Sequence, residues 1–376
     1  MKVLHVIPSL SPARGGPGAV VLQMKAALEA RGVIIHIAST DDDGPHARLP
    51  HAPSDGTNYW FPRQTSFYSF SWPMTTWLGR HLRDYDAAHI HALFSYPSEV
   101  AAALARRAGV PYLIRPLGTL SPWGLASRHP RRKQALLALF GKRMLRGAAA
   151  VQATSEQERL DVLAACPGCR AVVIPNPVAM PDAIPVRPGP GKPSVILFLS
   201  RIDPVKGLET LLGAFDRLVA HDADLRLVIA GDGEPAYVAR VRGMAASLAA
   251  RDRVRFTGHA DGGQKRLLFA AADLFVLPSY SESFGLAVAE AMAHGVPVLI
   301  SPNVGIHQEV TDASAGRAAA CTVDAVAQAM REMLDDPEGL ACMGENGQRL
   351  VRERYSPGLV ARLLVAEYEA AVGAKS

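Results

Sequence analysis

Two carboxylates, Glu282 and Glu290, stand eight residues apart inside the segment Pro278-Ser279-Tyr280-Ser281-Glu282-Ser283-Phe284-Gly285-Leu286-Ala287-Val288-Ala289-Glu290-Ala291-Met292-Ala293-His294-Gly295-Val296-Pro297-Val298. The segment follows an apolar run, and its pattern opens a helix. The first N–H groups of a helix lack internal partners and carry partial positive charge, so the stretch Ser283, Phe284, Gly285 and Leu286 offers a seat for a diphosphate. Gly285, without a Cβ, lets a ligand come close to the backbone. At ~1.5 Å rise per residue the two acids would stand roughly 12 Å apart along a helix axis. That is the length over which a sugar, a diphosphate and a ribose are laid out. One acid can then hold hydroxyls at the sugar end and the other at the ribose end. Acids near a helix start are common surface features favoured by the helix dipole. The Ser-x-Ser-Phe-Gly that follows a strand, and the Gly-Val-Pro-Val that starts the next one, set this pair apart.

The elements that must position these acids follow a strand–helix rhythm. In the first half, strands are expected at Val3–Ile7, Val33–Ala38, Ala87–His91 and Pro111–Ile114, with helices at Ala19–Ala30 and Glu99–Ala108 closed by Gly32 and Gly109. In the second half, strands are expected at Val195–Ser200, Arg226–Ala230, Arg253–Phe256, Leu274–Leu277 and Val296–Ile300. Helices there are expected at Gly207–Leu218, Gln264–Ala271 and Ala287–Ala293. Short apolar strands separated by helices predict parallel sheets covered on both faces. Between the halves, Ile174–Pro193 holds seven prolines, which cannot sit inside a helix or sheet and therefore mark a domain boundary. The expected organisation is an N-terminal domain over 1–180, a C-terminal domain over 181–357, and a helix in 358–376 that could pack back on the first domain.

Composition narrows the classes. A chain of 376 residues with 49% hydrophobic and 20% charged residues suits two globular cores. A net charge of +5 without interleaved aromatic and basic motifs gives no reason to expect a nucleic-acid partner. Four cysteines are too few for a disulfide framework, and Cys166-Pro-Gly-Cys169 lacks the second pair a zinc ribbon needs. His89-Ile90-His91 puts two histidines on one strand face, with no acid or cysteine near in sequence to complete a metal site. The N-terminal apolar run is too short for a signal peptide, and no run reaches 18 apolar residues. The expected compartment is the cytoplasm, with the inner face of its membrane as a second station.

The Glu282-to-Glu290 segment resembles the E-x7-E signature of family 4 GT-B retaining glycosyltransferases (glycosyl transferases group 1), and the resemblance spans nearly the whole chain. It implies an α/β protein of two Rossmann-like doubly wound domains facing across a cleft, with a nucleoside-diphosphate sugar as donor and neither cofactor nor metal. The family carries an Arg and a Lys after the first strand of its second domain, matched here by Arg201 and Lys206 in Ser200-Arg201-Ile202-Asp203-Pro204-Val205-Lys206-Gly207. Two fixed cations at a strand's carboxyl end can neutralise charge on a departing diphosphate. The resemblance also implies a donor-side turn at Gly231 in Ala230-Gly231-Asp232-Gly233-Glu234, and a glycine loop at Gly15-Gly16-Pro17-Gly18, with Gly16 near donor phosphates and acceptor. It puts His91 at a strand end facing the donor sugar. Arg115 and Trp123, in Arg115-Pro116-Leu117-Gly118-Thr119-Leu120-Ser121-Pro122-Trp123, match an acceptor-side stretch of exopolysaccharide-type members, although Pro116-Leu117 replaces a simple Arg-Gly step. Asn303–Glu309 could close over the donor.

The pathway implied is bacterial exopolysaccharide, capsule or lipopolysaccharide synthesis, with a lipid-linked or oligosaccharide acceptor. Residues 59–77 hold eight of the 24 aromatics, and residues 128–146 hold seven Lys or Arg and no acid. A basic amphipathic helix near an aromatic loop suits peripheral contact with an anionic membrane; aromatics packed inside beneath a solvated basic face fit the same residues. Two enzyme classes compete. A nucleotide-sugar epimerase of the same fold would need no acceptor loops, and a nicotinamide-dependent oxidoreductase would need the G-x-G-x-x-G fingerprint this chain lacks. Asp41, the residue such an oxidoreductase would use for ribose, reads without that fingerprint as a turn residue.

Overall fold

The computed structural model describes residues 1–43, 56–65, 67–127, 129–182, 194–219 and 225–374. They divide into two compact units. One comprises Met1–Pro177 with Pro357–Ser376, the other Val178–Ser356.

In the first unit, β1 (Lys2–Ser9), β2 (Ile34–Thr40), β3 (Asn58–Phe61), β4 (Ala87–His91), β5 (Tyr112–Arg115), β6 (Ala150–Ala153) and β7 (Ala171–Val173) form one sheet in the order β3-β2-β1-β4-β5-β6-β7. All pairings are parallel. The central strands are buried on both faces, as their nearly continuous apolar runs require. The register sets His5 beside His89 and His91 beside Arg115, so four polar side chains point into an otherwise apolar sheet. Helix Tyr96–Ala108 starts on a Ser95 cap and ends at Gly109 in the left-handed region, φ 69°. The terminal helix, Pro357–Gly373, packs beside helix Gly16–Glu29 and β4.

In the second unit, β8 (Ser194–Leu199), β9 (Leu225–Ala230), β10 (Val254–Gly258), β11 (Leu274–Leu277), β12 (Val298–Ile300) and β13 (Gly316–Ala318) run in the order β10-β9-β8-β11-β12-β13. This sheet too is parallel. Each sheet therefore reverses its winding at one point, between β1 and β4 in the first and between β8 and β11 in the second. Loops leaving the carboxyl ends of strands at such a switch point diverge and leave a crevice for ligand.

The expected pair of doubly wound α/β domains is present. The rhythm read from sequence omitted β3, β6, β7 and β13 and the helices Trp72–His81, Glu156–Ala165, Pro235–Ser247 and Pro337–Leu350. Those strands have only three or four residues and lie at or near sheet edges, where the apolar run is too short to stand out.

Candidate functional site

The second unit's switch point is built by backbone contact between three loops. Gly207, at φ 67°, sits so close to the loop after β11 that an added Cβ would lie 2.0 Å from the Pro278 carbonyl oxygen. At Gly231 and Gly233 a Cβ would meet the carbonyl oxygens of Ser200 and Ile202 at 1.8 and 2.0 Å. These glycines are therefore required by loop-to-loop packing, whatever Gly231 does for a ligand. Tyr280 N–H donates to Val205 O at 2.7 Å, locking the 203–207 turn onto the 278–282 loop.

That docking brings Lys206 and Glu282 into an ion pair, with side chains 11% and 20% exposed. Glu282 lies before the helix, which begins at Leu286, so the expectation that both acids share one helix axis does not hold. Instead Glu282 forms a strand-like bridge to Val304. Its N–H donates to Asn303 O at 3.0 Å, and its carbonyl accepts from Gly305 N at 2.7 Å. The Asn303–Glu309 stretch thus clamps the Glu282 backbone. Gly285, at φ 89°, is the residue before the first helical turn, a conformation that disfavours any side chain there. Ser283 is half-buried. The Phe284 ring goes into the core edge-on against Tyr355, centroids 5.2 Å apart, so its backbone alone can serve a ligand. Arg201 is more open, its side chain 55% exposed and its Nε 3.9 Å from Asp203.

Glu290 sits on the helix Leu286–Ala293 and meets a residue that sequence reading passed over. Lys265 Nζ lies 2.7 and 2.6 Å from its two carboxylate oxygens. Lys265 is on the first turn of helix Gly262–Ala271, which Asp261 caps. Both acids of the signature thus hold a lysine from another element. Nothing in the spacing of Lys265 from Glu290 signals this, since 25 residues and a strand separate them.

At the first unit's switch point the chemistry differs. Gly16 opens the helix Gly16–Glu29 and is exposed, while a Cβ added at Gly18 would lie 2.9 Å from the Leu10 carbonyl oxygen. Asp42 is buried and accepts from Arg14 at 2.7 and 2.6 Å and from Arg63 at 2.7 Å. Asp41, the residue weighed for a dinucleotide ribose, accepts from Arg63 N–H at 2.8 Å and is itself buried. His5, His89 and His91 are fully buried, with one ring nitrogen of each within 4.8 Å of the others. Burial is the main cause that lowers all three; it takes His5 down to about 3, with Lys25 and Arg115 adding repulsion. Both His89 and His91 are driven well below the ordinary histidine range, His89 by burial first and then His5 and Arg115, His91 by burial first and then His89, His5 and Arg115. Arg115 is 2% exposed and donates to Asn176, and burial lowers it to about 10. Its Nε and Nη1 meet no partner at hydrogen-bonding distance. The sequence expectation noted His89 and His91 but not His5, nor Tyr368 of the terminal helix, whose hydroxyl lies 2.7 Å from His89 Nδ1 and 3.3 Å from His5 Nε2. Alternation within β1 could not have placed His5, since only the pairing of β1 with β4 sets it beside His89.

Trp123 is 44% exposed on the short helix Pro122–Ala126. A helical run continues from Pro130 through Arg146, showing Leu139 at 68% and Phe140 at 47% exposure among exposed Arg131, Arg132, Arg143 and Arg146. Lys133 turns back to donate to Gly124 O and Ser127 O at 2.6 and 2.7 Å. Arg128 lies outside the described residues. Among the aromatics of 59–77, Tyr59 and Phe61 pack against Trp77, and Phe70 packs against Tyr96. Trp72 is exposed. Among the described residues no helix is long and apolar enough to cross a membrane.

Comparison with known proteins bears on both units. Residues 181–350 match the family described as glycosyl transferases group 1, and residues 15–177 the glycosyl transferase 4-like domain. The chain is 28% identical to the phosphatidyl-myo-inositol mannosyltransferase of Mycolicibacterium smegmatis, over 100% of this chain and 95% of that one. It is 37% identical to D-inositol 3-phosphate glycosyltransferase 2 of Catenulispora acidiphila, a match that spans 42% of this chain and only 39% of that one. Among solved structures, sucrose-phosphate synthase from Thermosynechococcus elongatus superposes with a TM-score of 0.81 at 22% identity, all of each chain being covered. With two doubly wound parallel units, each matching its own half of the family, the chain belongs to the GT-B glycosyltransferases of family 4.

Proposed function

We propose that this glycosyltransferase moves a sugar from a nucleoside-diphosphate donor to a lipid-linked or oligosaccharide acceptor in bacterial surface polysaccharide or glycolipid synthesis. We further propose that it retains the anomeric configuration and needs no metal. The observation that carries this reading is the Lys206–Glu282 pair at the divergence of β8 and β11, beside the helix start at Gly285. An ammonium and a carboxylate held together there can be parted by one ligand that bears an anion next to hydroxyls.

In this reading Lys206 and Arg201 take the two negative oxygens of the leaving diphosphate, and the N–H groups opening the helix at Gly285 and Leu286 take the rest. Fixed cations then do the neutralising work that a divalent ion would otherwise do. Glu282 accepts from hydroxyls of the transferred sugar, and Glu290 accepts from the ribose while keeping Lys265. The attacking hydroxyl approaches from the same face as the leaving phosphate, which accepts its proton as the new glycosidic bond forms and the old one breaks. His91, expected to face the donor sugar, is fully buried on β4 and is given no part in this step. A mannosyltransferase named for phosphatidyl-myo-inositol among the relatives favours an acceptor embedded in a lipid surface. The exposed Trp123, Leu139 and Phe140, set among arginines, suit contact with anionic headgroups there.

Thermal unfolding with a panel of UDP-, GDP-, ADP- and TDP-sugars tests the donor class: one of them should raise the melting temperature, and Glu282→Ala should abolish the shift. The product's anomeric proton coupling then reads retention, and turnover in excess chelator reads metal independence. No stabilisation by any of the four would overturn the reading.

A further inference from the structure

Two neighbouring helices of the second unit are joined by a pair of matched contacts. Helix Gly262–Ala271 carries Lys265 and, four residues on, Phe269. Helix Leu286–Ala293 carries Glu290 and, four residues on at its carboxyl end, His294. Residues so spaced lie on one helix face, a turn apart. The Phe269 ring stacks on His294 with centroids 4.8 Å apart, and Lys265 meets Glu290 one turn earlier on both helices. Phe269 is 1% exposed, so the stack is a core contact. His294 Nδ1 lies 2.8 Å from the Glu290 carbonyl oxygen, which ties the ring to the same turn. Core packing therefore sets the helix pair, and the helix pair sets Lys265 against Glu290.

That outer contact is open where the stack is closed. The side chains of Lys265 and Glu290 are 27% and 20% exposed, within reach of a ligand. Lys265 Nζ lies 2.7 Å from Oε1 and 2.6 Å from Oε2. An ionised carboxylate accepts hydrogen bonds at about four sites. The ammonium takes one on each oxygen, and the others can accept from hydroxyls. A carboxylate without its cation would repel a diphosphate nucleotide whose ribose it held. Paired with Lys265 it is electrically neutral and still accepts.

We propose that Lys265 is a positioning residue of the donor site. It cancels the charge of Glu290 and fixes its carboxylate, so that an acid can hold the ribose of an anionic nucleotide. This inference rests on the reading that Glu290 meets the ribose. A lysine that touched the nucleotide itself would matter equally with and without the Glu290 charge, whereas one that acts through Glu290 matters only while that charge is present.

Calorimetric titration of the full chain with UDP, GDP and ADP, each beside its 2′,3′-dideoxy counterpart, tests this. Wild type should bind its preferred diphosphate about tenfold more tightly than the dideoxy form, the scale of one hydrogen bond to a charged group. Lys265→Met keeps the stem and drops the charge. It should weaken the diphosphate about tenfold, and more so in low salt, where the repulsion is unscreened. Lys265→Arg should recover most of the affinity. Adding Glu290→Gln to Lys265→Met should tighten binding again, since the amide has no charge to repel. In turnover, Lys265→Met should raise KM and leave kcat within about twofold. Lys265→Gln, which keeps a donor for Glu290 without the charge, carries the same comparison if the Met variant fails to fold. Equal losses with and without Glu290→Gln, or wild-type binding by Lys265→Met, would overturn the proposal. Equal binding of the ribose and dideoxy forms by wild type would instead overturn the ribose reading of Glu290, and the proposal with it.

Discussion

The two units share one topology and put opposite chemistry at the same place in it. Where β8 and β11 part, the second unit sets charged groups in pairs, Lys206 with Glu282 and, further along, Lys265 with Glu290, all partly open to solvent. Where β1 and β4 part, the first unit sets three neutral histidines and a tyrosine in full burial. The contrast teaches what each crevice can do. Ion pairs that are not sealed from water can open to receive a charged ligand at modest cost. A dry network of neutral groups cannot receive charge; it ties β1 and β4 to the terminal helix through the Tyr368 hydroxyl.

The largest test of the contrast removes a charge from each pair in the second unit. Lys206→Ala should lower turnover of the donor about 10²–10³-fold, the scale set by loss of one preorganised group that stabilises a leaving charge. Lys265→Ala should instead raise KM for the donor with kcat nearly kept, because it touches the acid assigned to the ribose. Steady-state kinetics separates them, and equal effects on kcat would erase the distinction between the two pairs.

Next in size is Gly231→Ala. An added Cβ would lie 1.8 Å from Ser200 O at a backbone φ of 139°, so the loops must separate, costing about 2–4 kcal/mol in urea unfolding. Gly16→Ala, at an exposed first helical position, should change stability by less than about 1 kcal/mol.

Acid should distinguish the units by a smaller, graded effect. The unfolded histidines titrate near the ordinary value of about 6.5, whereas His5 is held at about 3 and His89 and His91 well below their usual range. Above pH ~6.5 both states are neutral and nothing is gained or lost. As the pH falls from there toward 3, the unfolded chain takes protons that the native state refuses, and each histidine withdraws about 1.4 kcal/mol per pH unit. Hydrogen exchange at pH 5 against pH 7 should show β1 and β4 losing protection first, since none of the second unit's described histidines is buried. Greater loss at β8 and β11 would contradict this.

The smallest expected effect concerns the membrane. Changing Arg131 or Arg143 to Gln should weaken sedimentation with phosphatidylglycerol vesicles by about 1 kcal/mol each, and Phe140→Ser should add to it. Salt should abolish the charge contribution but not the Phe140 one.

Much of this molecule was legible in its sequence because the relevant forces are local. Apolar runs of strand length, helices closed by Gly109, and seven prolines between residues 174 and 193 determine two parallel α/β units without reference to anything distant. The E-x7-E segment carries its identity in contiguous residues. What the chain alone could not reveal are the partners of those residues. Lys265 reaches Glu290 across a strand, Tyr368 reaches His5 across 363 residues, and Glu282 leaves the helix to bridge Val304. Sheet register and helix docking make those contacts. They are decided by which buried faces fit together, and a residue's neighbours in sequence carry no record of that fit.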